Sequence, residues 1–114
     1  MKSKATPMRE PTYYTLAALL EGPLHGYGII KRAEQLSNGR VRLAAGTLYA
    51  ALDRLTDAEL VCVDRQEIVQ GRARRYFRLT ERGHQALHAE ATRMAQAARI
   101  ITARRVPSSA PELT

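Results

Sequence analysis

The apolar residues of this chain change their period twice, and those two changes bound the folds open to it. From Pro11 to Ala58 they recur at helical spacing, from Leu60 to Leu79 β-branched and aromatic residues dominate, and from Thr80 helical spacing returns. A shift from period 3.6 to period 2 and back reads as helices, then a hairpin, then a helix. Leu16, Leu19 and Leu20 share the face of a first helix that opens at Pro11–Thr12 and stops at Gly22-Pro23. Ile29, Ile30, Ala33 and Leu36 mark a second helix from about Gly26 to Ser37, ended by the left-handed preference of Asn38-Gly39. Leu48, Ala51, Leu52 and Leu55 mark a third, from about Gly46 to Ala58. Residues 60–69 and 74–79 are then two strands joined by Gln70-Gly71-Arg72-Ala73. Thr80, a good N-cap followed by Glu81, starts a fourth helix whose pattern runs to about Arg105, roughly 39 Å of helix.

That order predicts a mainly α fold with a small β-hairpin: a winged helix-turn-helix with a long C-terminal dimerisation helix appended. Its parts are a flexible N-terminus over 1–10, a DNA-binding domain over 11–79, the helix over 80–106 and a flexible Pro/Ser-rich tail over 107–114. At 114 residues the chain is one small domain with a modest core, and a subunit interface would add to it.

Eighteen Lys and Arg against eleven Asp and Glu leave a net charge of +7, which suits a polyanion as partner. Membrane binding is not expected. No apolar run is long enough to span a bilayer, and the bases do not line one face of an amphipathic helix. Cys62 is the single cysteine, and the first residues lack a signal-peptide pattern, so a reducing, cytoplasmic setting is expected.

Burying one face of the third helix leaves the other free to enter a major groove. Thr47, Tyr49, Ala50 and Arg54 lie on that free face. Thr47 can bond a base or phosphate, Arg54 can bind guanine with two hydrogen bonds, and Ala50 can touch a thymine methyl. For Tyr49 the structural alternative is packing at the rim of the core. Between Arg65 and Arg82 stand six arginines against two glutamates. Arg72, expected at the loop tip, and Arg74 are candidates for phosphate or minor-groove contact. The alternative is a charged edge that blocks strand-to-strand aggregation, and for Arg78 a carboxylate partner.

The same residues resemble a known family. Leu24-His25-Gly26-Tyr27-Gly28-Ile29-Ile30 resembles the "HGY" opening of helix two in PadR-like transcriptional regulators. Gly46-Thr47-Leu48-Tyr49 with Ala51-Leu52 and Arg54-Leu55 resembles that family's recognition helix. Gly71-Arg72, Arg74-Arg75-Tyr76-Phe77 and Leu79-Thr80-Glu81-Arg82-Gly83 resemble its wing and the start of its last helix. The resemblance covers about residues 11–105. It implies a homodimeric bacterial repressor of the compact subclass, bound to a double-stranded DNA operator and often released by a small-molecule effector. It also implies DNA contacts at Thr47, Tyr49, Arg72 and Arg74, with His25 and Tyr27 either touching a phosphate or packing. Family members commonly carry proline where Ala45 and Ala50 stand, and glycine where Glu59 stands. A non-glycine held left-handed at Glu59 would cost about 1 kcal/mol.

Leu87, Ala91, Met94, Ala98 and Ile101 alternate at spacings of four and three, the pattern of a helix–helix seam. A subunit interface is the expectation, and packing on the chain's own domain is the alternative. No aromatic residue follows Phe77, which argues against a drug held between aromatic rings on this helix. An effector site lined by Met94, Ile100 or Ile101 and helix-one residues is left open.

Catalysis is not expected: there is no Gly-rich phosphate loop after a strand and no nucleophile beside a base. No cofactor is implied. His84 and His88, four apart with Glu81 nearby, are the only metal-like spacing, against the alternative of two exposed helix histidines. Rival readings are a winged-helix module for protein or RNA, and a metal-responsive repressor using that histidine pair.

Overall fold

The computed structural model describes residues 7–104. In chain order it comprises α1 (Glu10–Ala18), β1 (Leu24–His25), α2 (Gly26–Leu36), α3 (Ala45–Asp57), β2 (Val61–Val69), β3 (Arg72–Leu79) and α4 (Glu81–Thr102). It is a mainly α winged helix-turn-helix followed by a long helix. α4 ends at Thr102, short of the predicted end near 105–106, and the chain turns at Ala103 and Arg104; residues 1–6, residues 105–106 and the expected flexible tail at 107–114 lie outside the described residues.

The helical periodicity translates directly into burial. Leu16, Leu19, Ile29, Leu48, Leu52 and Val61 are all but sealed from solvent, and Phe77, Leu79 and Leu87 close the core around them. Leu48 has no exposed surface, so trimming it to alanine would cost about 2–5 kcal/mol. Leu20 does not join this face as expected. α1 ends at Ala18, the chain leaves helical geometry in a turn, and Leu20 is half exposed. At the other end, α1 starts at Glu10 and Met8 packs on the core, so residues 8–10 belong to the folded unit.

The sheet has three strands where the sequence predicted two. Its order is β1-β3-β2, all antiparallel, with Leu24 opposite Phe77 and His25 opposite Tyr76. Two residues between Pro23 and Gly26 are too few to show a period of two, which is why β1 was invisible in the pattern. The hairpin loop is also tighter than expected. Gln70 (φ 53°) and Gly71 (φ 78°) alone make the turn, both left-handed, as a twisted two-residue hairpin requires. Arg72 is therefore not the loop tip: it is the first residue of β3, paired with Val69.

α4 is fastened at its root. The Thr80 hydroxyl donates to the Glu59 carbonyl (2.6 Å) and accepts from the Gly83 amide (2.9 Å), while the Thr80 amide donates to the Leu60 carbonyl (3.0 Å). Gly83 fits because a Cβ there would collide with that Leu60 carbonyl. Glu59 ends α3 left-handed (φ 64°), the strained geometry foreseen for a non-glycine at this site.

Candidate nucleic-acid interface

Past the end of α2, Asn38 (φ 55°) and Gly39 (φ 84°) turn the chain, and the Ser37 hydroxyl accepts the buried Val41 amide (2.9 Å). This fixes the turn that delivers α3. Because α3 buries Leu48, Ala51, Leu52 and Leu55, it presents Thr47, Tyr49, Ala50, Asp53 and Arg54 outward. Its N-cap is Ala44, with no side chain to satisfy the first-turn amides, and Gly46 leaves open space beside them. Free amides at a helix start attract anions. α2 likewise starts without a side-chain cap, at His25.

The wing stands beside these two helix starts. A bulge at Asp64 shifts the register between Val63 and Arg65, and it sets the Arg65 guanidinium 3.9 Å above the Tyr76 ring. Tyr76 in turn meets the His25 ring edge-on, with centroids 5.4 Å apart. The short strand β1 thus ties the opening of α2 to the wing. Between them lies a cleft of about 520 Å³ lined by His25, Tyr27, Tyr49, Gln70, Arg72 and Arg74, among others. The sequence-derived candidates His25, Tyr27, Tyr49, Arg72 and Arg74 all reach this one cleft. Thr47, Ala50 and Arg54 lie exposed on α3 outside its lining. Arg75, which the sequence reading passed over, also lines the cleft. Burial, and secondly the nearby Arg74 charge, hold the His25 imidazole below its ordinary range.

Charge pairing divides the surface. Arg32, Arg40, Arg42, Arg65, Arg78, Arg82 and Arg93 each sit within ion-pair distance of a carboxylate. Arg78 finds Asp64 at 3.4 Å, the structural alternative considered for it. Among the described residues, no carboxylate pairs with Arg54, Arg72, Arg74 or Arg75. Arg9, Arg99 and Arg104 also lack such a partner, but they are scattered, whereas Arg72, Arg74 and Arg75 gather at one cleft, and clustered positive charge suits an anionic partner.

The family model of the PadR-like transcriptional regulators matches residues 15–89, which span α1 to the first half of α4. The chain belongs to that family. An uncharacterized 37.1 kDa protein in transposon TN4556 of Streptomyces fradiae is 42% identical over 81 residues, covering 71% of this chain and 22% of that protein. The transcriptional regulator Rv3488 of Mycobacterium tuberculosis is 44% identical over 54 residues, covering 47% of this chain and 50% of that regulator. The match thus spans at most half the length of these relatives. Among solved structures, Bacillus subtilis PadR in complex with operator DNA is similar, with a TM-score of 0.62 and 25% identity. That match covers 93% of this chain and 52% of PadR.

In this PadR-like chain, α4 has two unlike halves. Leu87 and Glu90 are buried against the chain's own domain, and Ala91 is half-buried. Leu87 therefore leaves the expected seam, because it is buried as a member of the chain's own core. From Thr92 to Thr102 every residue is exposed, including Met94, Ala98, Ile100 and Ile101. His84 and His88 are exposed, and among the described residues no three His, Cys, Asp or Glu side chains gather as a metal site. Cys62 is half-buried on β2. No helix of the described residues is long and apolar enough to cross a membrane.

Proposed function

We propose that this PadR-like regulator is a homodimeric repressor that binds a double-stranded operator, with α3 in the major groove and the wing on the adjacent backbone. The observation that carries the reading is the gathering of three arginines without carboxylate partners among the described residues, Arg72, Arg74 and Arg75, around a cleft that also holds Tyr49 and His25. Thr47, Tyr49, Ala50 and Arg54 read base edges; Arg72 and Arg74 grip phosphate or the minor groove; His25 and Tyr27 flank them. The dimer forms through the exposed half of α4, with Met94, Ala98 and Ile101 in the seam and Ala91 at its inner end. Two apolar turns of helix without a cover are a poor monomer surface. Repression follows from occupying a promoter.

Release by a small organic molecule is a secondary reading. It is supported by a cavity of about 240 Å³ lined by Met8, Glu10, Tyr13, Tyr14 and Met94, which Ile100 and Ile101 do not reach. Selection of binding sites from random DNA tests the main reading. The expected product is an inverted repeat with half-site centres about 10 bp apart or a multiple of that. Recovery of unpaired, non-symmetric sites would remove the symmetric dimer, and recovery of no preferred duplex would return the chain to a protein- or RNA-binding role.

A further inference from the structure

Gly26, the first residue of α2, has an ordinary helical backbone. Among the described residues the glycines with positive φ are Gly22, Gly39 and Gly71. Its conformation does not call for glycine, and alanine is the better helix former. What the position supplies is room. A Cβ on Gly26 would stand 2.8 Å from Cζ and 3.3 Å from Cε2 of Tyr49, and would run into the phenol oxygen. Carbon atoms in good contact sit about 3.5–4.0 Å apart, so the ring and an alanine cannot share this space.

Tyr49 belongs to α3, yet its ring lies across the start of α2. Gly26 is buried under it, while Tyr49 itself keeps 42% of its surface open. One side of the ring is thus braced by bare backbone. The open part lines the cleft shared with His25, Arg72 and Arg74. A tyrosine side chain has several staggered rotamers, so room beside Gly26 bears on which one Tyr49 adopts.

We propose that Gly26 is a positioning residue for Tyr49: the missing side chain at the start of α2 makes room for the phenol end of the ring there and fixes its direction into the cleft between α3 and the wing. The inference rests on the reading of α3 as the DNA-reading helix and adds a determinant of selectivity that has no side chain to touch a base. It also ties the two sequence signatures, His25-Gly26-Tyr27 and Gly46-Thr47-Leu48-Tyr49, into one device.

The test uses the full chain and four proteins: wild type, Gly26→Ala, Tyr49→Ala and the double variant. Affinity is measured for a duplex recovered by selection and for a random duplex, and the tyrosine ring signals are followed by NMR in the free protein. Gly26→Ala is expected to lower the selected-over-random ratio about 10-fold, within the range of one lost base contact, and to shift the Tyr49 ring signals. In the Tyr49→Ala background the same change is expected to add less than about twofold, the limit of independent behaviour. Equal losses in both backgrounds, or no loss beside Tyr49, overturn the proposal. Should Gly26→Ala fail to fold, the double variant is expected to fold, since the obstructing ring is gone; a double variant that stays unfolded overturns it. Should Tyr49→Ala leave the ratio unchanged, the DNA-reading role of Tyr49 falls. The positioning is then decided by the ring signals, which must still move in Gly26→Ala.

Discussion

The wing and the outer half of α4 both stand away from the core, and they differ in what they leave uncovered. The wing carries Arg72, Arg74 and Arg75 without carboxylate partners among the described residues, while the base of the same hairpin neutralises Arg65 and Arg78 through Asp64 and Glu67. The outer half of α4 carries Met94, Ile100 and Ile101 without apolar cover. One projection lacks a negative partner and the other lacks an apolar one. In the proposed function each projection receives the cover it lacks, an anion for the wing and an apolar helix face for the outer half of α4.

Breaking the apolar side gives the largest expected effect. Met94→Glu with Ile101→Glu places carboxylates in the proposed seam, where unpaired charge is not tolerated. The double variant is expected to be monomeric by light scattering and to bind its operator about 100-fold more weakly or worse, because two linked half-sites become independent. A double variant still dimeric at micromolar concentration would move the interface elsewhere.

On the charged side, Arg72→Ala with Arg74→Ala should weaken selected and random duplexes alike. Each lost phosphate contact should flatten the dependence of log affinity on log salt by about one unit. Arg65→Ala sharpens the comparison, since Arg65 is engaged by Asp64 and Glu67 and should leave the slope nearly unchanged. Equal slopes for the tip and base variants would erase the distinction drawn between them. Replacement of Arg54 by alanine should act differently again, costing about 1–3 kcal/mol on the selected duplex and little on a random one.

The smallest effect concerns His25. Burial and Arg74 hold its pKa below the ordinary imidazole value in the free protein. Phosphates in the cleft would offset Arg74 and raise that pKa, so binding takes up a proton and affinity strengthens as pH falls through the imidazole range. Folding responds in the opposite sense: with the folded pKa below the unfolded one, stability declines as pH drops through the same range. Titrating affinity with wild type and His25→Gln separates the two. A pH profile left intact by the substitution would acquit His25.

How much of this was legible in the sequence follows from the range of the forces involved. The burial of Leu48, Ala51, Leu52 and Leu55 is written in spacing, because a helix face is a local property. The Thr80 cap was legible for the same reason, as one hydroxyl reaching an amide three residues on. β1 was not, since its two residues take their structure from β3, more than fifty positions away. Leu87 has the same spacing as the seam residues after it, and only the placement of α4 on the domain assigns it to the core. The cleft lay between these extremes. Most of its residues were named one by one, but Arg75 joined them only when the wing was folded beside α2.

The joint at Thr80 has a mechanical consequence. Its hydroxyl and amide hold two successive carbonyls at the end of α3, Glu59 and Leu60, and Gly83 lets α4 sit against Leu60 with no side chain between. α4 extends about 33 Å from that point. With no slack at the joint, a change in the tilt of this arm is delivered to α3 as rotation, where a loose linker would absorb it. A pair of dividers keeps its gauge for the same reason, because the pivot is stiff. In a paired assembly, the separation of the two reading helices would be fixed at Thr80 as much as in the seam, and loosening this pivot would blur the spacing of half-sites that the protein accepts.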